Sequence, residues 1–541
     1  MKRLILLPLA LLTTVMSWAQ VIDTPDFSVK CKDGSVAYFR GYTTEMTFNE
    51  DGTVLYITTE GEDAVVSYAV EGIEAIEFAQ SYADRYSYAG AHVDVAFDPA
   101  DDTSYSEAKE QVITDKNHDD YGDFIENYSP SNRITITYNG ASATVSGTVS
   151  GVKVMSNVDG HVSIYSTKKN VAYTLKGTTA NGSFKLYSDY KTQVTLDGAD
   201  ITNPTGAAIN IQSGKTIMVA LADGSVNKLT DGVSYTMTAG EDQKGTFFSE
   251  GQLIFSGSTG KLEVKSHGGH GIVSDDYIRV RGGHITVNSA RDGINTNDRF
   301  VMYGGSVTVD AAEDGIDIGK GYVEVGAGKL TVNAVDEGIT ASYDGDDNGN
   351  IDPAITPYIL IKGGLVKVNT VGEKGHALRA MSTFTMSGGI VQVTAKGAGS
   401  KALMSEKAMT LSGGKLTALT EGAASYDAEL EELSSAAAIR SKGVLTIDGM
   451  TIGLKSTGNG GKGINNVGDI ILTNSQVTVV AVGDSHVHGS QKSYSRGVTT
   501  DADLTVDGAT LQVRTHDMPL LTEGTSKFLN GAVYTAYQVG K

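Results

Sequence analysis

Three acidic residues, each followed by glycine and isoleucine, recur in the middle of the chain. They are Asp292, Asp314 and Glu337, which stand 22 and 23 residues apart. If each interval is one turn of a stacked structure, the carboxylates lie about 4.8 Å apart, as neighbouring strands do. Carboxylates at that spacing repel one another unless a cation binds between them, and Ca²⁺ takes six to eight oxygen ligands. The period predicts a calcium site, to which Asn295 and Asp317 could add ligands; solvated Asp-Gly turns are the alternative.

A second candidate calcium site lies in the acidic segment of residues 344–352. Oxygen-bearing side chains stand at positions 1, 3, 5 and 9 of this segment, as in the first part of an EF-hand loop. They belong to Asp344, Asp346, Asn348 and Asp352. Position 12 is Ile355 instead of the glutamate that completes an EF-hand. The segment predicts bound calcium, with an ordinary acidic loop as the alternative.

Tyrosines could supply the aromatic surface that sugar recognition uses. Tyr277, Tyr322 and Tyr358 share one position of a repeat, and Arg279 follows on the same outward face. Such a ladder predicts a carbohydrate-binding platform. Stacking between the side chains of neighbouring strands is the alternative explanation.

One lysine could give a catalytic role to the stacked carboxylates of Asp292, Asp314 and Glu337, which we call the acidic ladder. Lys374 precedes Gly375, which predicts that it occupies the ladder position of Asp314 two repeats further on, and Arg379 lies five residues beyond it. A calcium ion that holds a uronate carboxylate acidifies the C5 proton, and a nearby lysine of lowered pKa could remove it. This predicts β-elimination as an alternative function, against an ordinary surface lysine.

These candidate sites depend on a repeat that runs from Lys244 to Val513. Each unit of 22 to 25 residues holds two short strands split by a glycine corner, as in Ile278-x-Val280-x-Gly282-Gly283-x-Ile285-x-Val287. Alternating apolar residues bury one side of each strand. Units of this length bury their apolar faces against their neighbours, which is typical of solenoids. The repeat predicts an all-β fold, a parallel β-helix.

The ends of the chain predict its domain organisation. Residues 1–19 combine a basic start, the apolar run Leu4 to Val15 and small residues before a cleavage site after Ala19, as in a signal peptide. We therefore expect a secreted, periplasmic or cell-surface protein, with no membrane insertion because no other stretch nears the ~20 apolar residues of a spanning helix. Residues 20–125 predict a small β-rich accessory region and linker, and residues 126–541 the β-helix domain. Within that domain, Asp427 to Leu433 could form a short helix.

Composition narrows the possible partners. The chain has 64 acidic and 43 basic residues and a net charge of −21, so nucleic acid is excluded as a partner. Its single cysteine, Cys31, cannot form an internal disulfide and is interpreted as a small, partly buried apolar residue. Motifs of serine hydrolases, kinases and dehydrogenases do not occur in a supporting strand-helix context. A monomer is expected.

Two stretches before the regular repeats resemble a known family. Val194 to Thr202 and Ala220 to Gly232, with the repeats that follow, resemble secreted bacterial carbohydrate-binding β-helix proteins related to polysaccharide lyases. The similarity covers roughly Tyr138 to Val513. It implies a right-handed parallel β-helix, bound Ca²⁺, and binding of cellulose or acidic plant polysaccharide.

The same resemblance adds one residue to the candidate metal ligands. Glu313 to Asp317, with Asp292 one repeat earlier, resembles the aspartate cluster that holds the catalytic calcium in one group of β-helix pectate lyases. Glu313 replaces an aspartate of that cluster. In those lyases a lysine one or two turns beyond the cluster is the base, which is why Lys374 is a candidate.

The leading hypothesis is a calcium-binding β-helix protein outside the cytoplasm that binds plant-type polysaccharide, cellulose or acidic sugars such as pectin, without catalysis. The first alternative is a calcium-dependent pectate lyase with Lys374 as base. The second is a structural or adhesion solenoid at the cell surface.

Overall fold

The structure is a computed structural model that describes residues 27–34, 36–39, 44–59, 65–78, 93–96, 110–346 and 348–538. The chain divides into two compact units, Met1–Arg85 and Tyr86–Lys541. The described residues 93–96 and 110–125, which the sequence assigned to the accessory region and linker, lie in the unit that contains the repeats. The predicted signal peptide, residues 1–19, lies outside the described residues.

The first unit consists of short antiparallel strands. Phe27–Cys31 pairs with both Val36–Phe39 and Ile73–Phe78, and a second sheet contains Thr44–Phe48, Val54–Thr59 and Val65–Ala69. A 3₁₀ turn spans Val70–Gly72. Cys31 is partly buried beside this unit's core, as predicted.

Each repeat of the second unit contributes to three stacks of strands. In one repeat, Tyr277–Val280 belongs to the first stack, His284–Ser289 to the second and Ile294–Thr296 to the third. All three pair in parallel with the equivalent strands of the next repeat. The predicted all-β fold with parallel sheets is confirmed, and the described residues contain no α-helix.

The strands of the second unit have the following bounds. The first stack contains Ile217–Leu221, Leu253–Ser256, Tyr277–Val280, Tyr358–Ile361, Leu445–Asp448, Ile470–Thr473, Leu504–Asp507 and Ser526–Leu529. The second contains Val226–Thr230, Lys261–Lys265, His284–Ser289, Leu365–Thr370, Thr451–Ser456, Gln476–Ala481, Thr510–Thr515 and Val533–Gln538. Longer strands that continue through both are Val171–Thr179, Thr192–Thr202, Arg299–Ala311, Tyr322–Ala334, Phe384–Ala395 and Met409–Thr420.

The third stack is a sheet of 15 strands. It contains Val152–Val158, His161–Ser166, Ser183–Ser188, Ile209–Ile211, Gly245–Ser249, His270–Ser274, Ile294–Thr296, Ile316–Ile318, Ile339–Ala341, Leu378–Ala380, Lys401–Ser405, Ala437–Ser441, Lys462–Asn466, Arg496–Thr500 and Leu520–Thr522. Asn132–Asn139 pairs antiparallel with Ser142–Ser146 and in parallel with Val171–Thr179. Two 3₁₀ turns, Asp119–Asp123 and Ile125–Asn127, precede these strands.

Glycine corners and alternating apolar residues explain the stacking. The second glycine of the corner needs a left-handed backbone, with φ of 88° at Gly283 and 71° at Gly305. Side chains that alternate on either side of the corner, such as Ile278 and Ile285, are at most 2 % exposed and face the core. Burial of apolar surface between adjacent repeats, away from water, is the main stabilising contribution in such a stack.

Two inserted hairpins project from the later repeats. Ser425–Asp427 pairs with Glu432–Ser434, and His486–His488 pairs with Gln491–Ser493. The predicted short helix at Asp427 to Leu433 is therefore wrong. In the described part of the chain, no helix is long and apolar enough to cross a membrane.

Candidate functional site

The acidic ladder lies at the start of the third stack. Ile294, Ile316 and Ile339 are direct partners in register, so the acids two residues before each of them occupy equivalent positions. Backbone hydrogen bonds join the turns as well, since Gly293 N donates to Asp314 O and Gly315 N donates to Glu337 O. The prediction that the carboxylates of Asp292, Asp314 and Glu337 stack is confirmed.

The glycine after each acid is required for space. Gly315 has no positive φ, but a Cβ there would lie 2.1 Å from Val332 Cγ1 and 2.4 Å from Gly338 O. The equivalent Cβ positions at Gly293 and Gly338 are 2.1 and 2.2 Å from valine Cγ1 atoms. The alternative explanation, that these turns contain glycine because they need positive φ, is therefore wrong. Glycine lets each acidic turn pack directly against a valine of the second stack.

Hydrogen bonds connect Asp292 of this ladder to side chains beside it. Asn295 Nδ2 donates to Asp292 Oδ2 at 2.9 Å and to Asp317 Oδ2 at 3.1 Å. His270 Nδ1 lies 3.0 Å from Asp292 Oδ2. An amide that donates to two carboxylates substitutes for a cation between them, and rotation of the amide would instead present its oxygen to a metal. The predicted ligands Asp292, Asn295 and Asp317 are thus brought together.

A second group of carboxylates forms around Asp314. Oxygens of Asp314, Asp336 and Glu337 all lie within 4.8 Å of one another, and Glu337 N donates to Asp314 Oδ1 at 2.8 Å. Asp336 was not among the predicted ligands, although its signal, an acid pair directly before Gly338, is visible in the sequence. Glu313, a predicted ligand at the same position one repeat earlier, instead forms an ion pair with Arg291 at 3.2 Å.

Burial makes it costly for all of these acids to be ionised together. Burial, with the charges of Glu337, Asp292 and Asp317, raises the pKa of Asp314 to about 8. Burial and the hydrogen bond with Asp336 raise the pKa of Glu337 to about 7, and burial and Asp292 raise that of Asp317 to about 6. Burial also opposes ionisation of Asp292, but the hydrogen bond with His270 lowers its pKa below the usual value. A bound cation would reverse the upward shifts.

The donor set fits a hard cation such as Ca²⁺. The acids Asp292, Asp314, Asp317, Asp336 and Glu337 offer oxygen ligands only, which Ca²⁺ prefers. Thr340 supplies an independent sign of a missing partner. It is the register neighbour of Asp317, is 2 % exposed, and its Oγ1 has no hydrogen-bond partner within the described residues. Buried hydroxyls are normally bonded, so a bound group beside this oxygen would satisfy it.

The EF-hand-like segment is organised mainly by its own hydrogen bonds. Asp346 Oδ1 accepts from the backbone N–H groups of Asn348 and Asn350 at 2.9 and 2.8 Å, and Asp352 Oδ1 accepts from Ala354 N. Hydrogen bonds from Asn350 lower the pKa of Asp346. The charge of Asp344 contributes to the raised pKa of Asp317. Because Asp347 lies outside the described residues, calcium binding here stays a prediction.

The predicted placement of Lys374 is wrong. Register pairs Ile339 with Leu378 and then with Leu403, so His376 and Lys401 occupy the ladder position. The prediction aligned Gly375 with the glycine that follows each acid of the ladder. Ala377 occupies that position instead. Lys374 Nζ donates to Asp427 Oδ2 at 2.6 Å, and this hydrogen bond raises the pKa of Lys374. A raised pKa keeps Lys374 protonated, and a protonated lysine cannot accept a proton as a base.

Arg379 is at the edge of the acidic ladder. It pairs in register with Thr340, and its Nη1 lies 3.4 Å from Glu337 Oε1. Arg379 thus lies beside the acids, whereas Lys374, the other residue of the alternative catalytic pair, is directed elsewhere.

The predicted tyrosine ladder exists, but part of it is covered. Tyr277, Arg299, Tyr322 and Tyr358 are successive register partners, and the rings of Tyr322 and Tyr358 stack with centroids 4.8 Å apart. Residues 110–128, which we call the strap, cover its beginning. Asp123 accepts from Tyr277 Oη at 2.6 Å, and Arg279 is only 3 % exposed. Tyr277 and Arg279 therefore do not form an open carbohydrate platform.

The strap contributes carboxylates to each nearby arginine. Arg279 pairs with Glu110, Asp120 and Asp123, while Arg281 pairs with Glu110 and Glu126. Phe124 is fully buried, with the Arg281 guanidinium 4.0 Å from the centre of its ring. Sequence reasoning missed the strap because its partners lie more than 150 residues away.

Comparisons with known proteins agree with the resemblance found in the sequence. Residues 158–383 match the family model described as "Carbohydrate-binding domain-containing protein". The predicted family resemblance is confirmed. A protein from Acetivibrio thermocellus with that same description is 32 % identical over 121 residues, which are 22 % of this chain. The match spans 42 % of that relative's length.

One solved structure is also similar to this chain. It is a polysaccharide lyase-like protein from C. thermocellum, in a gadolinium derivative, at 23 % identity and a TM-score of 0.38. The similarity covers 52 % of this chain and 99 % of that one.

Proposed function

We propose that the second unit is a right-handed parallel β-helix that binds polysaccharide outside the cytoplasm through calcium held by its acidic ladder, without catalysis. The observation that carries this proposal is the stacking of Asp292, Asp314 and Glu337 on successive turns, with Asp317 beside them. The family match over residues 158–383 supports carbohydrate as the ligand class. The candidate signal peptide supports the location.

The acidic ladder suits a ligand that itself carries carboxylates. Calcium on this ladder would cancel part of its negative charge and keep coordination positions for oxygens of the sugar. Acidic plant polysaccharides such as pectin offer carboxylates and hydroxyls, and cellulose offers hydroxyls only. An acidic polymer would be repelled without the cation, so its binding is expected to depend on calcium.

The experiment is retention of the mature protein on polygalacturonate and on cellulose, with calcium and with chelator. We expect retention on polygalacturonate that needs calcium and is lost in Asp314→Asn. Glu313→Gln is the matched control, because Glu313 is the adjacent acid but pairs with Arg291 outside the group. Failure of the wild-type protein to bind either polymer in calcium would overturn the proposal.

The same experiment tests the two alternatives. Ultraviolet absorbance that grows with calcium would reveal the unsaturated product of β-elimination and contradict a non-catalytic role. Lys374 lacks the lowered pKa of a base, since Asp427 raises it. If calcium raises the melting temperature while neither polymer is retained, a structural or adhesion role is favoured.

A further inference from the structure

The column that carries the acidic ladder changes sign further along the third stack. After Glu337, the next two register partners are His376 and Lys401. Lys401 pairs with Ala437, and Ala437 pairs with Lys462. Arg440 lies on the middle of these last three strands and follows Ala437 by three residues. Carboxylates are thus replaced by cations on the same face.

Among the described residues, Lys401 is buried without an acidic partner. It is 5 % exposed, and its Nζ donates to Gly399 O at 2.6 Å and to Ser434 Oγ at 2.7 Å. Both acceptors are neutral. The charge of Glu432 acts on Lys401, but the two residues do not form an ion pair. Burying an ammonium group without a counter-charge costs free energy that neutral hydrogen bonds only partly offset.

Arg440 and Lys462 extend the same imbalance. Both are partly buried, and neither side chain makes a hydrogen bond or ion pair with any residue that the structure describes. Burial and the charge of Arg440 lower the pKa of Lys401 to about 7. Burial, Arg496 and Arg440 lower the pKa of Lys462 to about 8, against the opposing charge of Asp501. Arg440 lies on the strand between those of Lys401 and Lys462, adjacent to both.

This absence of counter-ions contrasts with the rest of the molecule. The chain has 21 more acidic than basic residues, and the arginines beneath the strap each face carboxylates. An acidic protein has enough carboxylates to neutralise three cations, yet none of the acids that the structure describes forms an ion pair with these three. Cations left together on one face, in a partly desolvated position, are the arrangement that binds an anion.

We propose that Arg440, with Lys401 and Lys462, forms a site for a carboxylate group of an acidic saccharide. This inference rests on the proposed function and extends it, because the ligand would lie along the third stack. Its carboxylates would reach calcium on the acidic ladder and these cations directly further on. Arg440 offers the planar, two-pronged hydrogen bonding that matches a carboxylate, and Lys401 and Lys462 lie two repeats apart, roughly 9.6 Å.

The test is calorimetric titration with trigalacturonate and with its methyl ester, which has the same sugar backbone but no carboxylate charges. Arg440→Met and Lys462→Met should each weaken trigalacturonate binding about tenfold, the effect of one lost charge-assisted contact. The methyl ester should bind weakly to all variants. The titrations are made with calcium present, because binding of an acidic saccharide is expected to depend on calcium.

Lys442→Met is the matched control for the charge removed. Lys442 follows Arg440 by two residues but already pairs with Glu406, so its loss should leave the affinity for trigalacturonate unchanged. The melting temperature of Arg440→Met should stay at or above that of the wild-type protein, because Arg440 has no partner to lose among the described residues. Weaker binding with an unchanged melting temperature would exclude misfolding as the cause.

The outcomes separate this inference from the proposed function. Equal affinity of wild type, Arg440→Met and Lys462→Met for trigalacturonate, or equal binding of the methyl ester, would overturn the inference alone. Retention on cellulose without any binding of trigalacturonate would do the same and leave the proposed function standing. If the protein binds neither polymer nor trimer, both are wrong.

Discussion

At the scale of single residues, the acidic ladder is a set of carboxylates that hold protons more tightly in the folded chain. Asp314, Glu337 and Asp317 have pKa values raised from 3.8, 4.5 and 3.8 to about 8, 7 and 6, with burial as the largest cause. The folded state therefore binds more protons than the unfolded state across this range. Its free energy of unfolding must fall as the pH rises from about 4 to about 8.

This linkage predicts how calcium and pH act together on stability. In chelator, stability should fall by roughly 2 kcal/mol or more between about pH 5 and about pH 8, because the acids lose protons that the fold favours. Calcium should raise the melting temperature strongly near pH 8 and little near pH 5, where protons compete with calcium for the carboxylate oxygens. Thermal unfolding at several pH values, with and without calcium, measures both effects.

Variants of neighbouring acids isolate the source of that dependence. Asp314→Asn removes the carboxyl with the largest upward shift and should flatten the pH profile and reduce the calcium response. Glu313→Gln should preserve both, because Glu313 lies outside the group and pairs with Arg291. A calcium effect of equal size at both ends of the pH range would contradict the assignment.

The period of the sequence was sufficient to identify Asp292, Asp314 and Glu337, because one repeat length fixes one position on the stack. It was not sufficient for residues that are placed by neighbouring repeats. His270 contacts Asp292 from one repeat earlier, at the regular spacing of 22 residues. It was missed because it is a histidine and the pattern consisted of acids. Lys374 was misplaced because the ladder glycine is replaced by Ala377 in that repeat.

At the scale of strands and turns, the glycine turn at the start of the third-stack strands brings these strands close to the second stack. Gly271, Gly293, Gly315, Gly338, Gly463 and Gly497 would each place a Cβ within 2.2 Å of a valine Cγ1. Each of these turns therefore packs against a valine of the second stack. The two approach so closely that only glycine fits in the turn. The position of the carboxylates depends on this contact.

Replacement of one such glycine should show the energetic cost. Gly315→Ala should lower the free energy of unfolding by about 1 to 3 kcal/mol, because the new methyl group overlaps Val332 and the carbonyl of Gly338. Chemical denaturation measures the change. Gly214→Ala is the control, since a Cβ there meets nothing within 4 Å, and it should change stability by less than about 0.5 kcal/mol. Equal effects of the two substitutions would contradict a steric role.

The inserted hairpin at residues 425–434 shows why amino-acid composition alone wrongly predicted a helix there. Its run of glutamate and leucine favours a helix, yet Glu431 adopts a φ of 53° and reverses the chain. Asp427 accepts hydrogen bonds from the N–H groups of Glu429 and Leu430 and from Lys374. Side-chain hydrogen bonds to the backbone compete with helix formation in this way. The lysine partner lies 53 residues away, which local propensity does not register.

At the scale of the whole second unit, the strap joins residues that are distant in the sequence. Its acids neutralise Arg279 and Arg281 on the first stack, and Phe124 packs against both guanidinium groups. The repeat predicted the stacks because each unit repeats the same local pattern. The strap has no repeat, and no feature of its own sequence states which turn of the stack it covers.

The strap should be held mainly by its buried aromatic ring. Phe124→Ala should lower stability by about 3 kcal/mol and speed native proteolysis within residues 110–128, because it removes a fully buried side chain. Glu126→Gln should cost less than about 1 kcal/mol, since Glu126 is half exposed and its ion pair is screened by solvent. Limited proteolysis and chemical denaturation compare the two. Unchanged proteolysis in Phe124→Ala would contradict this account.

The strap also imposes an order of events during synthesis. Asp123 leaves the ribosome 156 residues before Arg279, its partner. At about 5 to 20 residues per second, the delay is roughly 8 to 30 s. Throughout it, Glu110, Asp120, Asp123 and Glu126 lack the arginines with which they form ion pairs. A segment made early in the second unit therefore completes its ion pairs late, because the middle repeats supply the arginines.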